Sequence, residues 1–139
     1  MSDMPQTPTT TTGVIAYLNL EGAAAASDFY QRAFGAQELF RLPAEDGKRL
    51  MHCHLKINGA DVMVSDCFPE MGGEAFRFQP TSSITLHLQV TDIDAWMKRA
   101  VEAGAKVTMP VELMFWGDRF GKILDPFQIN WSLGETPKR

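Results

Sequence analysis

Three histidines are the side chains of this chain best suited to acid–base or metal chemistry near neutral pH. His52 and His54 stand two residues apart in KRLMHCHLKI, a segment typical of a β-strand, and His87 stands in a second such segment, SSITLHLQV. Because side chains alternate along a strand, His52 and His54 are expected on one face, opposite Cys53 and Leu55. They are the candidate catalytic residues, and three interpretations stay open: ligand contact or general base, hydrogen-bonded wall residues, or a non-standard metal site of three histidines.

The same alternation extends the candidate binding set to other strands. Tyr17 either stacks on a ligand or fills the floor of the site, and Met63 offers an adaptable apolar surface. Arg119 either forms an ion pair with Asp118 or contacts an anionic ligand. The predicted ligand-binding residues are Tyr17, His52, His54, Met63, Thr85, His87, Arg119, Asn130 and Ser132.

Composition and charge exclude several classes of protein. A length of 139 residues is typical of one domain, and the net charge is −4 with no cluster of Lys and Arg. We therefore expect no nucleic-acid partner and no membrane partner. Cys53 and Cys67 do not form a C-x-x-C pair, which favours reduced thiols and a cytoplasmic location.

The order of apolar segments, turns and helical spacing predicts an α+β chain built from two copies of one βαβββ unit. The units span 13–67 and 82–134, with a Gly/Pro-rich connector at 68–81 and a Thr/Pro-rich tail at 1–12 that we expect to be disordered. In the second unit, Pro110 is predicted to end a strand and the next strand lies within 111–124. The last strand is predicted at Phe127–Leu133.

A motif near the C-terminus resembles a known family signature. It consists of Trp116-Gly117-Asp118-Arg119, Gly121, Asp125-Pro126-Phe127 and Trp131. This pattern is similar to that of the glyoxalase/bleomycin-resistance family, or vicinal-oxygen-chelate superfamily, and is closest to its PhnB-like branch. The resemblance covers about residues 13–134 and includes the first helix, from Asp28-Phe29-Tyr30 to Phe34-Gly35-Ala36.

The resemblance implies an architecture and a set of partners. Each βαβββ unit would form a curved mixed sheet, with helices on the convex face and a ligand cup on the concave face. The units would pair side by side, within one chain or by swapping between chains of a homodimer. A small organic ligand is the expected occupant of the cup.

The resemblance also implies where metal-dependent members hold their ion. Their four ligand positions fall on Ser132, on Met63, near Thr85, and on Ile15 or Tyr17. A divalent transition metal needs three or four nitrogen, anionic oxygen or thiolate donors, which these residues do not supply. We therefore expect no cofactor and no glyoxalase I activity, with a divalent metal left as the alternative.

Three functional hypotheses follow. The first is a small-molecule-binding protein with a metal-free cup. The second is a lyase, isomerase or dioxygenase-like enzyme of the same superfamily that uses a metal or a histidine. The third is an interaction role through the dimer surface.

Overall fold

The computed structural model describes residues 12–73 and 83–138, so most of the predicted tail and residues 74–81 of the predicted connector lie outside the described residues. Two compact units divide the chain: residues 12–31 and 35–73 belong to the first, and residues 32–34 and 83–138 to the second. The elements are β1 (Ala16–Leu20), α1 (Ala23–Phe34), β2 (Gln37–Pro43), β3 (Leu50–Ile57), β4 (Ala60–Asp66), β5 (Leu86–Gln89), α2 (Ile93–Ala103), β6 (Lys106–Leu113), β7 (Arg119–Leu124) and β8 (Asn130–Glu135), with a short 3₁₀ turn at Pro69–Met71.

Each unit contains one four-stranded mixed sheet, and the two sheets have the same topology. The strand order is β1-β4-β3-β2 in the first and β5-β8-β7-β6 in the second. The first strand of each unit runs parallel to the last, and the other neighbours are antiparallel. The prediction of an α+β fold with a repeated βαβββ order is therefore confirmed.

An acidic residue at the end of each last strand caps the helix of its own unit. Asp66 Oδ1 accepts hydrogen bonds from the backbone N–H groups of Gly22 and Ala23, at 2.7 and 3.1 Å. Glu135, 69 positions further on, accepts from the first two N–H groups at the start of α2, at 3.0 and 3.2 Å. Both carboxylates satisfy donors that a helix start leaves unpaired. The repeat thus extends to individual hydrogen bonds.

Helix α1 covers one face of the first sheet. Ser27 Oγ donates to Glu38 Oε1 at 2.7 Å, and Cys53 Sγ lies 3.5 Å from the same oxygen. Cys53 is therefore on the apolar, helix-facing side, as alternation predicted. Burial, with a smaller contribution from Glu38, raises the pKa of the Cys53 thiol to about 11. A thiol this weakly acidic is a poor nucleophile at neutral pH.

Several predicted boundaries in the second unit are wrong. Pro110 lies inside β6 rather than at its end. This is tolerated because β6 is the edge strand of its sheet and its pairing with β7 is irregular at that point. The last strand begins at Asn130, because Gln128 adopts a positive φ of 70° in the preceding turn. Strand β5 begins at Leu86, which leaves Thr85 before the strand.

Asp125 organises the family-like motif. This carboxylate is 2% exposed and accepts hydrogen bonds from the N–H groups of Phe127 and Ile129 and from Trp131 Nε1, at 2.8, 3.0 and 2.9 Å. Three donors compensate the burial of its charge. Asp125 therefore fixes the turn before β8 and the indole of Trp131 together, which explains why these residues occur as one motif.

Gly121 explains a further position of the motif. A Cβ at this residue would lie 2.9 Å from Val111 Cγ2 and 3.2 Å from the carbonyl oxygen of Met109, so glycine permits the close approach of β6 to β7.

Among the described residues, no helix is long and apolar enough to cross a bilayer.

Candidate functional site

The first unit places most of the predicted site residues on the sheet face opposite α1, which we call the first open face. Tyr17, Met63, His54 and Phe40 lie side by side across β1, β4, β3 and β2. His52 lies on the same face, two residues along β3. Alternation along the strands thus predicted correctly that Tyr17, His52, His54 and Met63 share a face. Phe40 was not among them, although alternation along β2 carried the signal.

In the part of the chain that the structure describes, His52 makes one hydrogen bond and packs among aromatic rings. Its Nδ1 lies 3.1 Å from the Tyr17 hydroxyl, and the ring centroids of Tyr17 and Phe40 are 5.7 and 6.0 Å from its own. Burial, and to a lesser degree the neighbouring His54, lowers the pKa of His52 below its ordinary value. Its Nε2 is buried and has no hydrogen-bond partner among the described residues.

His54 is the most deeply buried polar side chain of this face, with 1% of its surface exposed. Neither of its ring nitrogens has a hydrogen-bond partner in the part of the chain that the structure describes. Nε2 lies 3.4 Å from Asp61 Oδ1, a charge contact too long for a well-formed hydrogen bond. Lys56 Nζ is 3.2 Å from the same oxygen and is the main cause that lowers the pKa of Asp61.

The second unit presents its own open face, opposite α2, with a fully hydrogen-bonded histidine. His87 Nδ1 lies 2.7 Å from Ser132 Oγ, and His87 Nε2 lies 2.8 Å from Gln89 Oε1. The ring of Phe120 stacks on His87 at 6.0 Å with an interplanar angle of 15°. Gly134 leaves room for this arrangement, because a Cβ there would lie 3.0 Å from the imidazole. The predicted ligand-binding residues include His87 and Ser132 of this face but not Phe120.

Three further predicted site residues, Arg119, Thr85 and Asn130, have surroundings that differ from those of the histidines. Arg119 binds Asp94 of α2 with two hydrogen bonds of 2.7 and 2.9 Å, so its ion-pair partner is not Asp118. This pairing raises the pKa of Arg119 and turns its charge toward the helix side of the sheet. Thr85 precedes β5 and is exposed, and the register of the sheet places His87, not Thr85, beside Ser132. Asn130 opens β8 opposite Leu124.

The residues at the family's metal-ligand positions do not fit a divalent metal. On the parallel strand pairs, Tyr17 lies beside Met63 and His87 beside Ser132, so each unit offers at most one nitrogen donor there. Within residues 12–73 and 83–138, no three His, Cys, Asp or Glu side chains gather in a group that could hold a metal ion. A metal site of three histidines therefore stays a prediction without support in the described residues.

A cavity of about 470 Å³ opens elsewhere in the first unit, where β1 and β4 end. Leu20 and Asp66, which line it, point to the helix side of the sheet, so it is distinct from the first open face. Arg49 also lines it, but its guanidinium is held by Asp46, Glu70 and the Cys67 carbonyl oxygen. Its charge is thus used within the fold.

The two sheets, each with one covering helix, define a paired βαβββ fold. Residues 14–133 match the model of the Glyoxalase/Bleomycin resistance protein/Dioxygenase superfamily. The chain belongs to this superfamily.

Comparisons with individual proteins agree with this membership. The chain is 48% identical over 124 residues to an uncharacterised protein of Mycobacterium bovis, a match that covers 86% of this chain and 80% of the relative. The crystal structure of TioX from Micromonospora sp. ML1 is similar with a TM-score of 0.68 at 24% identity, covering 92% of this chain and 98% of that one. A PhnB protein from Bacillus cereus gives a TM-score of 0.68 at 16% identity, covering 90% and 100%. The two structures show a likeness of fold.

Proposed function

We propose that this protein binds a small organic molecule on the first open face without a metal ion. The observation that carries the proposal is His54, a 1% exposed imidazole with two nitrogens unpartnered among the described residues. An unpartnered buried polar group costs about 1–3 kcal/mol, so such groups are rare in native proteins and call for a reason. A ligand that hydrogen-bonds these nitrogens supplies one.

The surroundings of His54 have the character of a binding site for organic molecules. Tyr17 and Phe40 supply aromatic rings, and Met63 supplies an adaptable apolar side chain. Tyr17 is 46% exposed, so this face has an aromatic ring at the protein surface. Small-molecule binding sites usually consist of apolar walls with a small number of polar groups.

The test separates a binding role of His54 from a structural one. Because His54→Leu removes two unpaired nitrogens at similar volume, we expect it to leave the unligated protein as stable as the wild type or more stable. The ligand panel consists of bleomycin, benzamide, benzoate, uracil and phenol. Compounds of this panel that raise the unfolding temperature of the wild type should not raise that of His54→Leu. Met51→Leu is the matched control, because Met51 is an exposed residue of the same strand.

Two results would overturn the proposal. One is a panel in which no compound raises the unfolding temperature or changes the NMR signals of the His52 and His54 rings. The other is a His54→Leu variant that keeps every ligand-induced shift of the wild type.

An enzymatic alternative rests on the second open face. The Ser132 hydroxyl and Gln89 amide hold His87 at both ring nitrogens, the arrangement that orients a general base. We infer for this alternative a lyase, isomerase or dioxygenase-like reaction in which His87 moves a proton. If the protein catalyses such a reaction and the His87→Gln variant has the same rate as the wild type, this alternative is excluded.

We further propose a PhnB-like homodimer in the cytoplasm. Exposed apolar side chains around the β6–β7 turn support an interaction surface there, with Leu113 70%, Phe115 97% and Trp116 47% exposed. Both cysteines are free, which is consistent with a reducing compartment.

A further inference from the structure

The unpartnered nitrogens of the first open face form a pattern, because they belong to two neighbouring rings. His52 Nε2, His54 Nδ1 and His54 Nε2 are the buried side-chain nitrogens and oxygens without a hydrogen-bond partner in residues 12–73 and 83–138. The two ring centroids are 6.3 Å apart, with the planes at 80°. A neutral imidazole carries one donor and one acceptor, so the tautomer of each ring decides what the pair can recognise.

Asp61 sets the tautomer of His54. Its ionised carboxylate only accepts hydrogen bonds, and its Oδ1 lies 3.4 Å from His54 Nε2. The Lys56 ammonium, 3.2 Å from the same oxygen, keeps Asp61 ionised. A proton on Nε2 therefore faces a negative charge and is favoured there. His54 Nδ1 is left with a lone pair, as an unsatisfied acceptor.

Tyr17 sets the tautomer of His52. A phenol is a stronger hydrogen-bond donor than a neutral imidazole N–H, so the Tyr17 hydroxyl donates to His52 Nδ1 across 3.1 Å. The proton of the neutral His52 ring then resides on Nε2. His52 thus offers an unsatisfied donor and His54 an unsatisfied acceptor, on rings whose centroids are 6.3 Å apart.

We propose that the first open face recognises a neutral, planar molecule with a cis-amide edge, such as a lactam, whose C=O accepts from His52 Nε2–H and whose N–H donates to His54 Nδ1. This inference deepens the proposed function and rests on it. The rings of Tyr17 and Phe40 lie on either side of His52 and suit a flat ligand. A carboxylate is disfavoured, because it has no donor for His54 and would approach the charge of Asp61.

The probe is 2-pyridone, the smallest aromatic lactam, observed through the ring nitrogens of His52 and His54 by NMR titration of the full chain. We expect it to bind about tenfold or more tightly than 1-methyl-2-pyridone, which leaves the His54 acceptor unpaired. The isomer 5-methyl-2-pyridone has the same size and keeps the N–H, so it should bind like the parent. Benzoate should bind more weakly than 2-pyridone and 5-methyl-2-pyridone.

Asp61→Asn tests the tautomer argument directly. An amide both donates and accepts, so it no longer fixes the proton of His54, and the preference for 2-pyridone over its 1-methyl analogue should fall several-fold. Asp118→Asn is the matched control and should keep the preference, since Asp118 lies in the second unit.

The outcomes distinguish this inference from the proposed function. Equal binding of 2-pyridone and 1-methyl-2-pyridone, tighter binding of benzoate, or no binding of any of these probes would overturn the lactam assignment. In each case other compounds that shift the His54 signals would leave the proposed function standing. Loss of all ligand-induced shifts across the broader panel would overturn both.

Discussion

At the residue scale, this protein separates buried polar groups that are satisfied from buried polar groups that are not. Asp125 is nearly as buried as His54, yet its two oxygens accept three hydrogen bonds, whereas His54 accepts and donates none among the described residues. The hydrogen bonds of Asp125 are typical of a structural residue. The unpartnered nitrogens of His54 are instead what the proposed ligand contact requires.

Asp125→Ala should destabilise the protein by about 2–4 kcal/mol, since it leaves the Trp131 indole N–H and two backbone donors without their acceptor. The measurement is urea unfolding followed by tryptophan fluorescence. Asp118→Ala, in the same motif, should change the free energy of unfolding by less than about 0.5 kcal/mol. Equal effects of the two substitutions would contradict the role given to Asp125.

The lowered pKa of His52 predicts a pH dependence of stability. Because burial keeps this ring neutral in the folded protein, the unfolded chain takes up the proton first as the pH falls. The stability that His52 contributes is therefore present above its ordinary pKa of about 6.5 and lost as the pH falls through the lower folded value. NMR titration should give a His52 pKa below that of a model peptide; a value at or above it would contradict the prediction. His52→Gln should flatten the stability profile over the same range.

At the element scale, the two helices begin by the same device. Asp66 and Glu135 each end the last strand of a unit and cap the start of its helix, although the capping residue is aspartate in one unit and glutamate in the other. Asp66 also accepts from the N–H of Leu50 at 2.7 Å, so it ties β3 to the same point. In the first unit, α1, β3 and β4 are thereby joined at one end of the sheet.

Asp66→Ala should lower the free energy of unfolding by about 2–3 kcal/mol. Removal of this 5% exposed carboxylate leaves three backbone N–H donors without an acceptor. Glu135→Ala should cost about 1 kcal/mol, since Glu135 is more exposed and bonds two donors. Urea unfolding of the two variants checks both values. A Glu135→Ala variant less stable than Asp66→Ala would show that burial of the cap does not set its contribution.

At the scale of the whole molecule, the fold is that of a superfamily with metal-dependent members. The positions that the resemblance assigns to their ligands fall on Ser132, on Met63, near Thr85, and on Ile15 or Tyr17. We expect protein purified without chelators to contain well below one divalent metal ion per chain. Elemental analysis by mass spectrometry gives the number, and added Zn²⁺ or Ni²⁺ should not raise the unfolding temperature. One tightly bound ion per chain would contradict the metal-free proposal.

The sequence determined the fold class, the repeat and most of the candidate face, because these depend on local properties that the residue order carries. The alternation of His52 and His54 against Cys53 and Leu55 fixed which side chains share a face, and the motif around Asp125 indicated the family. Strand ends were less certain: Pro110 reads as a terminator, and only its place on an edge strand allows β6 to continue through it.

Only the tertiary structure decided which polar groups have partners, because those contacts join residues far apart in the chain. Arg119 finds Asp94 across 25 positions, and His87 finds Ser132 across 45. His54 and Asp61 meet because β3 and β4 are paired, which brings His54 Nε2 to 3.4 Å from Asp61 Oδ1. The sequence placed the histidines on one face, and packing decided that His54 is the one left without a partner among the described residues.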